Sequence, residues 1–452
     1  MSIPTAAPTN QHDQPHDVPF SRVARNVGWM AGARGFTGIL SIFYLAVAAR
    51  TLGLREFGNF ALILSFGQLV ATLVQFQSVK GVIRFGAMHL SDNRPDRLPR
   101  LYGYMTTLEL LGIVIGSGLA FACMPLVAPL YQWTEHQQLL ASIFAVALLF
   151  GTGGTPVGIL RLYGRFDLIS YTEGVGPIIR LVGVSIAWWV GAGIGTFLAI
   201  WALAVIAQTA AQWIASIVAL HIRLEFGKRA IRTTLAENHK LWRFMVLTNV
   251  SNSVTAVWTE LGTLAVGAVA GPVQAGGFRI AQRIAKAIGN PVELVTRALF
   301  PEFAKLVAQN AFRKLGRMLI RITAVATALA AVTVAILALG GQWIIGLIAG
   351  PQYEFAYIPM LLLSVATAID LASFALDPYH IAQGRAGRIL RIRLVAAGGY
   401  LIVLALLLPR FGASGAAIAG IAASIILFVQ LGISSWQILR DKAGRGSAQD
   451  FQ

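Results

Sequence analysis

Twelve predominantly apolar stretches, each about 20 residues long or longer, occur along this sequence. They run approximately over 23–49, 56–79, 101–124, 138–160, 169–190, 194–220, 243–269, 273–299, 316–339, 355–380, 389–408 and 411–438. Such a segment crosses hydrocarbon as a helix, because a helix satisfies its backbone hydrogen bonds internally. Twelve in one chain predict an all-α polytopic membrane protein. Composition agrees: 12% of the 452 residues are charged and 56% are hydrophobic, against about 25% charged in a soluble chain. Residues 1–21 are rich in Pro, His and Gln. They lack the basic start and apolar middle of a signal peptide and read as a disordered tail. The single cysteine, Cys123, excludes an internal disulfide and any multi-thiolate metal site.

The cations set the orientation, since cytoplasmic loops carry an excess of Lys and Arg. With the N-terminus inside, 28 of the 36 Lys and Arg fall on the inner side and five within spans. Only Arg50, Arg55 and Arg410 fall outside. Both termini are therefore expected in the cytoplasm, residues 441–452 forming a second tail. The net charge of +17 is this orientation signal and not a nucleic-acid footprint, because the cations sit between apolar stretches. The outer loops are short, the longest near 125–137 and 340–354, which weighs against membrane-embedded glycosyltransferases and polymerases. GxGxxG, Walker A and HExxH patterns are absent from the sequence. His12, His16, His239 and His380 read as solvated side chains of tails and cytoplasmic regions. No enzyme, cofactor or metal site is expected.

The chain divides into two six-span halves, 22–220 and 243–440, joined by the basic segment 221–242. The spacing of that segment predicts an amphipathic helix on the anionic inner leaflet. After the first span runs GLREFGNF from Gly53 to Phe60, and after the seventh runs GPVQAGGF from Gly271 to Phe278, with both glycines and the final Phe aligned. Gly164-Arg165 and Gly384-Arg385 close the fourth and tenth spans. GAGIG at 191–195 and FGASG at 411–415 follow one span later. Six crossings leave each half in the same orientation, so the halves are expected to be parallel repeats.

Five cations lie inside spans: Arg34, Arg180, Arg279, Arg283 and Lys286. Each costs about 2.5–3.5 kcal/mol at the bilayer centre, so they should face water, partners or an anionic ligand. On span eight, Arg279, Arg283, Lys286, Asn290, Glu293 and Arg297 recur at steps of three and four, one helical stripe. The bland alternative is pairing with carboxylates of neighbouring helices and snorkelling at the ends. Spans one, two and seven carry polar stripes as well: Asn26, Arg34, Thr37, Ser41 and Tyr44; Ser65, Gln68, Thr72 and Gln75; Asn249, Asn252, Glu260 and Thr263. Each alone reads as helix packing. Together they occupy the opening pairs of both repeats and predict one aqueous cavity between the halves that prefers a negative solute. Asp370 and Asp377 share a face of span ten and either carry a coupling proton or pair with an arginine such as Arg321 or Arg180. Glu173 and Arg180 share a face of span five and can pair through water.

The segment LAVAARTLGLREFGNFALILSFGQLV (45–70), with Ala49-Arg50, Leu52-Gly53 and Phe57-Gly58, resembles the polysaccharide-transporter branch of the multidrug/oligosaccharidyl-lipid/polysaccharide exporter superfamily. Residues 276–306, Gly384-Arg385 and FGASGAAIAG at 411–420 fit it too. The resemblance implies two six-helix lobes around a central cationic cavity, as in O-antigen and exopolysaccharide flippases of the Wzx type. It implies movement of a polyprenyl-pyrophosphate-linked oligosaccharide to the outer leaflet of the bacterial inner membrane. Arg34, Arg279, Arg283 and Lys286 are then the expected pyrophosphate contacts. Gln68, Gln75, Asn249, Asn252, Glu260 and Asn290 are expected at the sugar or the cavity wall, with Asp370 and Asp377 as ion-coupling candidates. The expected partners are the lipid-linked glycan, membrane lipids, and a polysaccharide polymerase with its assembly proteins. The rivals are an ion-coupled exporter of cationic drugs, for which a basic cavity is ill suited, and a non-transporting lipid-binding scaffold.

Overall fold

The computed structural model describes residues 20–151, 153–308, 312–376, 379–380 and 386–449, with side chains described for most of 40–437. The helices are α1 (Phe20–Val74), α2 (Ser78–Ser91), α3 (Leu98–Tyr131), α4 (Glu135–Leu149), α5 (Thr155–Leu162), α6 (Phe166–Trp189), α7 (Ile194–Leu220), α8 (Lys228–Glu237), α9 (Leu241–Ala308), α10 (Phe312–Ile348), α11 (Tyr357–Ser373) and α12 (Ala386–Gln449). Seven helical stretches among the described residues are long and apolar enough to cross a membrane. Three of these contain a bend, at Gly53, Gly271 or Gly412, and so supply two legs each. The α4–α5 pair and α6, which carries Glu173 and Arg180, complete the expected twelve crossings. Leu339 is 92% exposed, Leu126 74% and Trp189 84%; such helix faces suit lipid and not water. Tail residues 1–19 lie outside the described residues.

The two halves repeat each other in structure as in sequence. Gly53 and Gly271, equivalent at an offset of 218, both adopt positive φ (+71° and +85°) with extended ψ, a conformation that strains any residue with a Cβ. Each bends a long helix into the first two legs of its half. Five residues later the second legs cross at their equivalent glycines. A Cβ on Gly58 would overlap the Pro272 carbonyl, and one on Gly276 would stand 3.1 Å from the Gly58 Cα. The crossing thus marks the pseudo-twofold axis. Gly58→Ala forces backbone apart there, an overpacking cost of about 1–3 kcal/mol, visible as a lowered unfolding temperature in detergent. Gly118→Ala, which meets nothing within 4 Å, should be neutral or slightly stabilising through helix propensity.

Three expectations are corrected. Span four is not one helix: α4 stops at Leu149 and α5 restarts at Thr155, across a Gly-rich segment that lacks helix propensity. Span two stops at Val74 and resumes as α2, which runs on to Ser91. His380 is not solvated. It is fully buried, with Nε2 2.8 Å from the Ser434 hydroxyl and Nδ1 3.0 Å from the Leu376 carbonyl, because α12 packs over it.

The linker forms α8, amphipathic as its spacing predicts: Ala230 and Thr234 are buried while Lys228, Arg229 and Arg232 are exposed. Glu237 at its end meets Arg100 at 3.1 Å and Arg97 at 3.5 Å. The start of α9 is then seated on the first half through Met245 against Gly81 and Phe244 against Phe85 and Arg84.

Candidate functional site

The opening legs of the halves build the seam. At the cation-poor end they are closed. Phe57 meets Tyr353 edge to face at 5.9 Å, and the Tyr131 hydroxyl donates to the Leu264 carbonyl at 3.0 Å. Arg50 Nε donates to the Ile348 carbonyl at 3.1 Å, and its Nη2 reaches the Leu347 carbonyl. These are terminal carbonyls of α10, where a cation is favoured by the unpaired acceptors and the helix dipole. The sequence marks Arg50 as an outer cation and as part of the Ala49-Arg50 motif, but not as a latch, because that role depends on a helix almost 300 residues away. Arg50→Ala should open this end. Losing a charged fork of this kind, discounted for its exposure, shifts the closed state by about 1 kcal/mol or roughly fivefold. Spin labels on the cation-poor ends of α3 and α10 would then report a larger long-distance population, and an unaltered distribution would count against the latch.

Below this closure lies the polar stripe of α9, and the structure splits it. Arg279 is committed within the protein: Nη1 lies 2.7 Å from Glu260 Oε2, and Nη2 donates to Gln68 Oε1 at 2.8 Å. Its charge is balanced, so Arg279, Glu260 and Gln68 act as one tied group joining the halves. Arg283, one turn on, donates from Nε to the Ser41 hydroxyl on the first leg of α1 at 2.8 Å. Lys286 keeps solvent access although it sits in the middle of the bundle. It borders two cavities.

The first cavity, of about 450 Å³, lies between the halves and is lined by Gln68, Thr72, Gln75, Thr259, Glu260 and Lys286. The second, of about 380 Å³, lies inside the second half and includes Gln282, Lys286, Thr367, Asp370, Arg393 and Tyr400. The cavity between the halves has Gln75, Gln68 and Glu260 in its wall. Asp370 faces the second cavity and not the seam. Asn249 stands apart from both: its Oδ1 accepts from Ser253, whose hydroxyl also donates to the Thr72 carbonyl. The side chains of Arg34, Asn252, Asn290, Glu293 and Asp377 lie outside the described residues, as do those of Asn26, Thr37 and Arg297.

Among the described residues no carboxylate lies within 4 Å of Arg283, Lys286 or Arg180; the ion pairs involve Arg97, Arg100, Arg165 and Arg279. No direct ion pair within 4 Å joins Glu173 to Arg180, seven residues apart on α6. The described residues also contain no cluster of three or more metal-ligating side chains.

The sequence marks Glu109 as an acid within a span and gives it no role. It is buried on α3, and its Oε1 accepts from the Gly154 amide at 2.7 Å and from the Thr155 amide and hydroxyl at 2.8 Å each. It thereby caps the restarted helix α5 in the broken fourth crossing, next to the cavity-lining Gly151. Pro156, in the first turn of α5, adds no further unpaired amide. A buried acid facing a glycine run was the available signal.

Comparison with known proteins agrees with this architecture. The chain covers an inward-facing multidrug resistance MATE family transporter of the MOP superfamily almost completely (91% of this chain, 99% of that one), at a TM-score of 0.69 and 14% identity. It is similar to the Vibrio cholerae MATE transporter VcmN in its bent form at a TM-score of 0.56 and 13% identity, over 93% and 98% of the two chains. At these identities the shared property is the fold. In sequence it is 24% identical to the inner membrane protein YghQ of Escherichia coli (strain K12) over 295 residues, 64% of this chain and 82% of that protein. The family described as polysaccharide biosynthesis protein matches residues 23–307. This all-helical, multi-pass membrane protein, with the fold of the MATE structures, therefore belongs to the polysaccharide biosynthesis protein family.

Proposed function

We propose that the chain is a flippase that moves a polyprenyl-pyrophosphate-linked oligosaccharide, a repeat unit of O-antigen, capsule or exopolysaccharide, from the inner to the outer leaflet of a bacterial inner membrane. The observation that carries this reading is the placement of Arg283 and Lys286: mid-bundle, solvent-accessible, and without a described carboxylate within 4 Å. Two cations at membrane depth with no direct carboxylate partner destabilise the protein unless something anionic visits them. Family membership supports a glycan-related cargo, and the name of the E. coli relative supports the inner membrane.

A bare pyrophosphate faces a Born penalty of order tens of kcal/mol in hydrocarbon. The protein offers the headgroup a wet passage between the lobes while the lipid tail remains in the bilayer. Arg283 and Lys286 hold the phosphates, with Arg34 in the same leg as Ser41. Gln75 and Thr72 offer hydrogen bonds to sugars. The cation-rich end is cytoplasmic, with both termini. The contacts of Arg50, Tyr353 and Gly58 then close the outer side, and transport requires the lobes to rock until these part. Lobes 22–220 and 243–440 would move about the linker 221–242. Asp370, in the cavity of the second half, is the candidate to couple an ion to that motion, with Asp377 seven residues on as the alternative. A polymerase and its assembly proteins would take the product.

The second reading is an ion-coupled exporter of the same superfamily, which the MATE-like fold and the separate cavity at Asp370 favour. Proteoliposomes containing a lipid-linked oligosaccharide distinguish the two. A flippase makes the sugar reachable by an external glycan-modifying enzyme and leaves ethidium gradients untouched. Ethidium efflux without glycan exposure overturns the flippase reading.

A further inference from the structure

Arg180, unlike Arg279 with its Glu260 partner, is a cation that neither a carboxylate within 4 Å nor the pyrophosphate site described above takes up. It enters the first lobe from α6, with its guanidinium 5.8 Å from the Tyr44 ring and 5.6 Å from the Trp201 ring. Both rings are buried and pack edge to face at 5.2 Å, so they form a fixed seat. Its Nε is buried and has no hydrogen-bond partner. Leaving such a donor unmade costs about 1–3 kcal/mol, more when it is charged. Cation–π contact returns roughly 0.5–2 kcal/mol; it positions the guanidinium without neutralising it.

Arg283 approaches the same tyrosine from the other lobe. It donates to Ser41, one turn before Tyr44 on α1, lies against Tyr44, and is within electrostatic range of Arg180. Two guanidiniums from opposite lobes therefore converge on one phenol, with no described carboxylate within 4 Å of either. Like charges repel, the more so where protein and lipid displace water from part of their surroundings. The remainder of the stripe differs: Arg279 has Glu260, and Lys286 feels both Glu260 and Asp370.

We infer that Arg180 and Arg283 form a two-arginine clamp for a phosphoryl group, one arm from each lobe, with the Ser41 and Tyr44 hydroxyls as neutral hydrogen-bonding groups beside it. The planar guanidinium presents paired N–H donors that match phosphoryl oxygens, and the aromatic seat leaves the edges of Arg180 for that task. The inference rests on the flippase reading and extends the phosphate contacts from α9 onto α6. Because the arms belong to different lobes, an anion between them turns repulsion into attraction, so headgroup binding itself favours approach of the lobes on this side.

The test uses the full chain in nanodiscs, with polyprenyl pyrophosphate lacking sugar as the probe and polyprenyl alcohol as the control. Arg180→Gln should weaken binding of the pyrophosphate lipid by about tenfold or more and leave the alcohol unchanged. A residue that only packs on Tyr44 and Trp201 would not separate the two lipids. Arg180→Lys keeps the charge and the stem but loses the fork. It should fall between wild type and Gln, and it decides the matter if Gln does not fold. Lys and any folded Gln variant binding the pyrophosphate lipid as tightly as wild type would overturn the clamp. Wild type binding both lipids equally would instead remove the flippase reading, a separable result. Competition by inorganic pyrophosphate marks a seat open to free phosphate, whereas lipid-restricted binding marks a headgroup seat; either supports the clamp.

Discussion

Arg283→Gln combined with Lys286→Gln abolishes glycan exposure in proteoliposomes while the protein remains folded. Each cation contributes a charged hydrogen bond to the headgroup of about 1.5–3 kcal/mol. Losing two slows the step that depends on them by roughly 10²–10⁴-fold. Stability moves the other way. Cations held in the bundle without carboxylates within 4 Å are a cost to the folded state, so their removal leaves the unfolding temperature unchanged or raises it. A pair serving structure would behave oppositely, because removing one partner of a buried salt bridge costs about 3–5 kcal/mol. Arg279→Gln provides that contrast, since it strands Glu260, its partner at 2.7 Å.

The largest stability loss is expected at Glu109→Ala. One carboxyl oxygen accepts three hydrogen bonds from Gly154 and Thr155. Each donor left buried and unpaired costs about 1–3 kcal/mol, which sums to roughly 3–9 kcal/mol against a total of about 5–15 kcal/mol for a typical protein. Glu109→Gln keeps an accepting oxygen and should lose distinctly less. The measurement is thermal unfolding in detergent together with the yield of monodisperse protein. If Glu109→Ala unfolds at the wild-type temperature, the carboxylate is not what holds the broken fourth crossing.

Most of the architecture is legible in the sequence because the bilayer is an exacting solvent. Apolar runs must be helices, and loop cations report their side. The repeat was visible as glycines at an offset of 218, and those glycines turn out to be the bend (Gly53, Gly271) and the crossing (Gly58, Gly276). Such positions tolerate no Cβ, so the signal survives where the rest of the sequence has drifted. The α9 stripe was legible for the same periodic reason.

Partners across the seam were not legible. Helical spacing says that Arg279, Arg283 and Lys286 share a face, but not that the first meets Glu260, the second Ser41 and the third open space. Those fates depend on which neighbour each turn of the helix faces, set by the crossing at Gly58. Arg180 was read against its own helix, where Glu173 is two turns away, whereas its surroundings are rings from α1 and α7. The break before Thr155 was written in the Gly-rich segment after Leu149 and was masked by the apolar residues on either side. Local pattern dominates the reading of elements; tertiary neighbours dominate the reading of charges.

The central claim, a wet cavity between the lobes that attracts anions, is tested most directly at Thr72, which lines it and carries no charge. In a Cys123→Ser background, Thr72→Cys should react with a membrane-impermeant anionic thiosulfonate faster than with its cationic counterpart, after each rate is normalised to a free thiol. Pyrophosphate should suppress the reaction. Preference for the cationic reagent, or no reaction with either, would contradict the account.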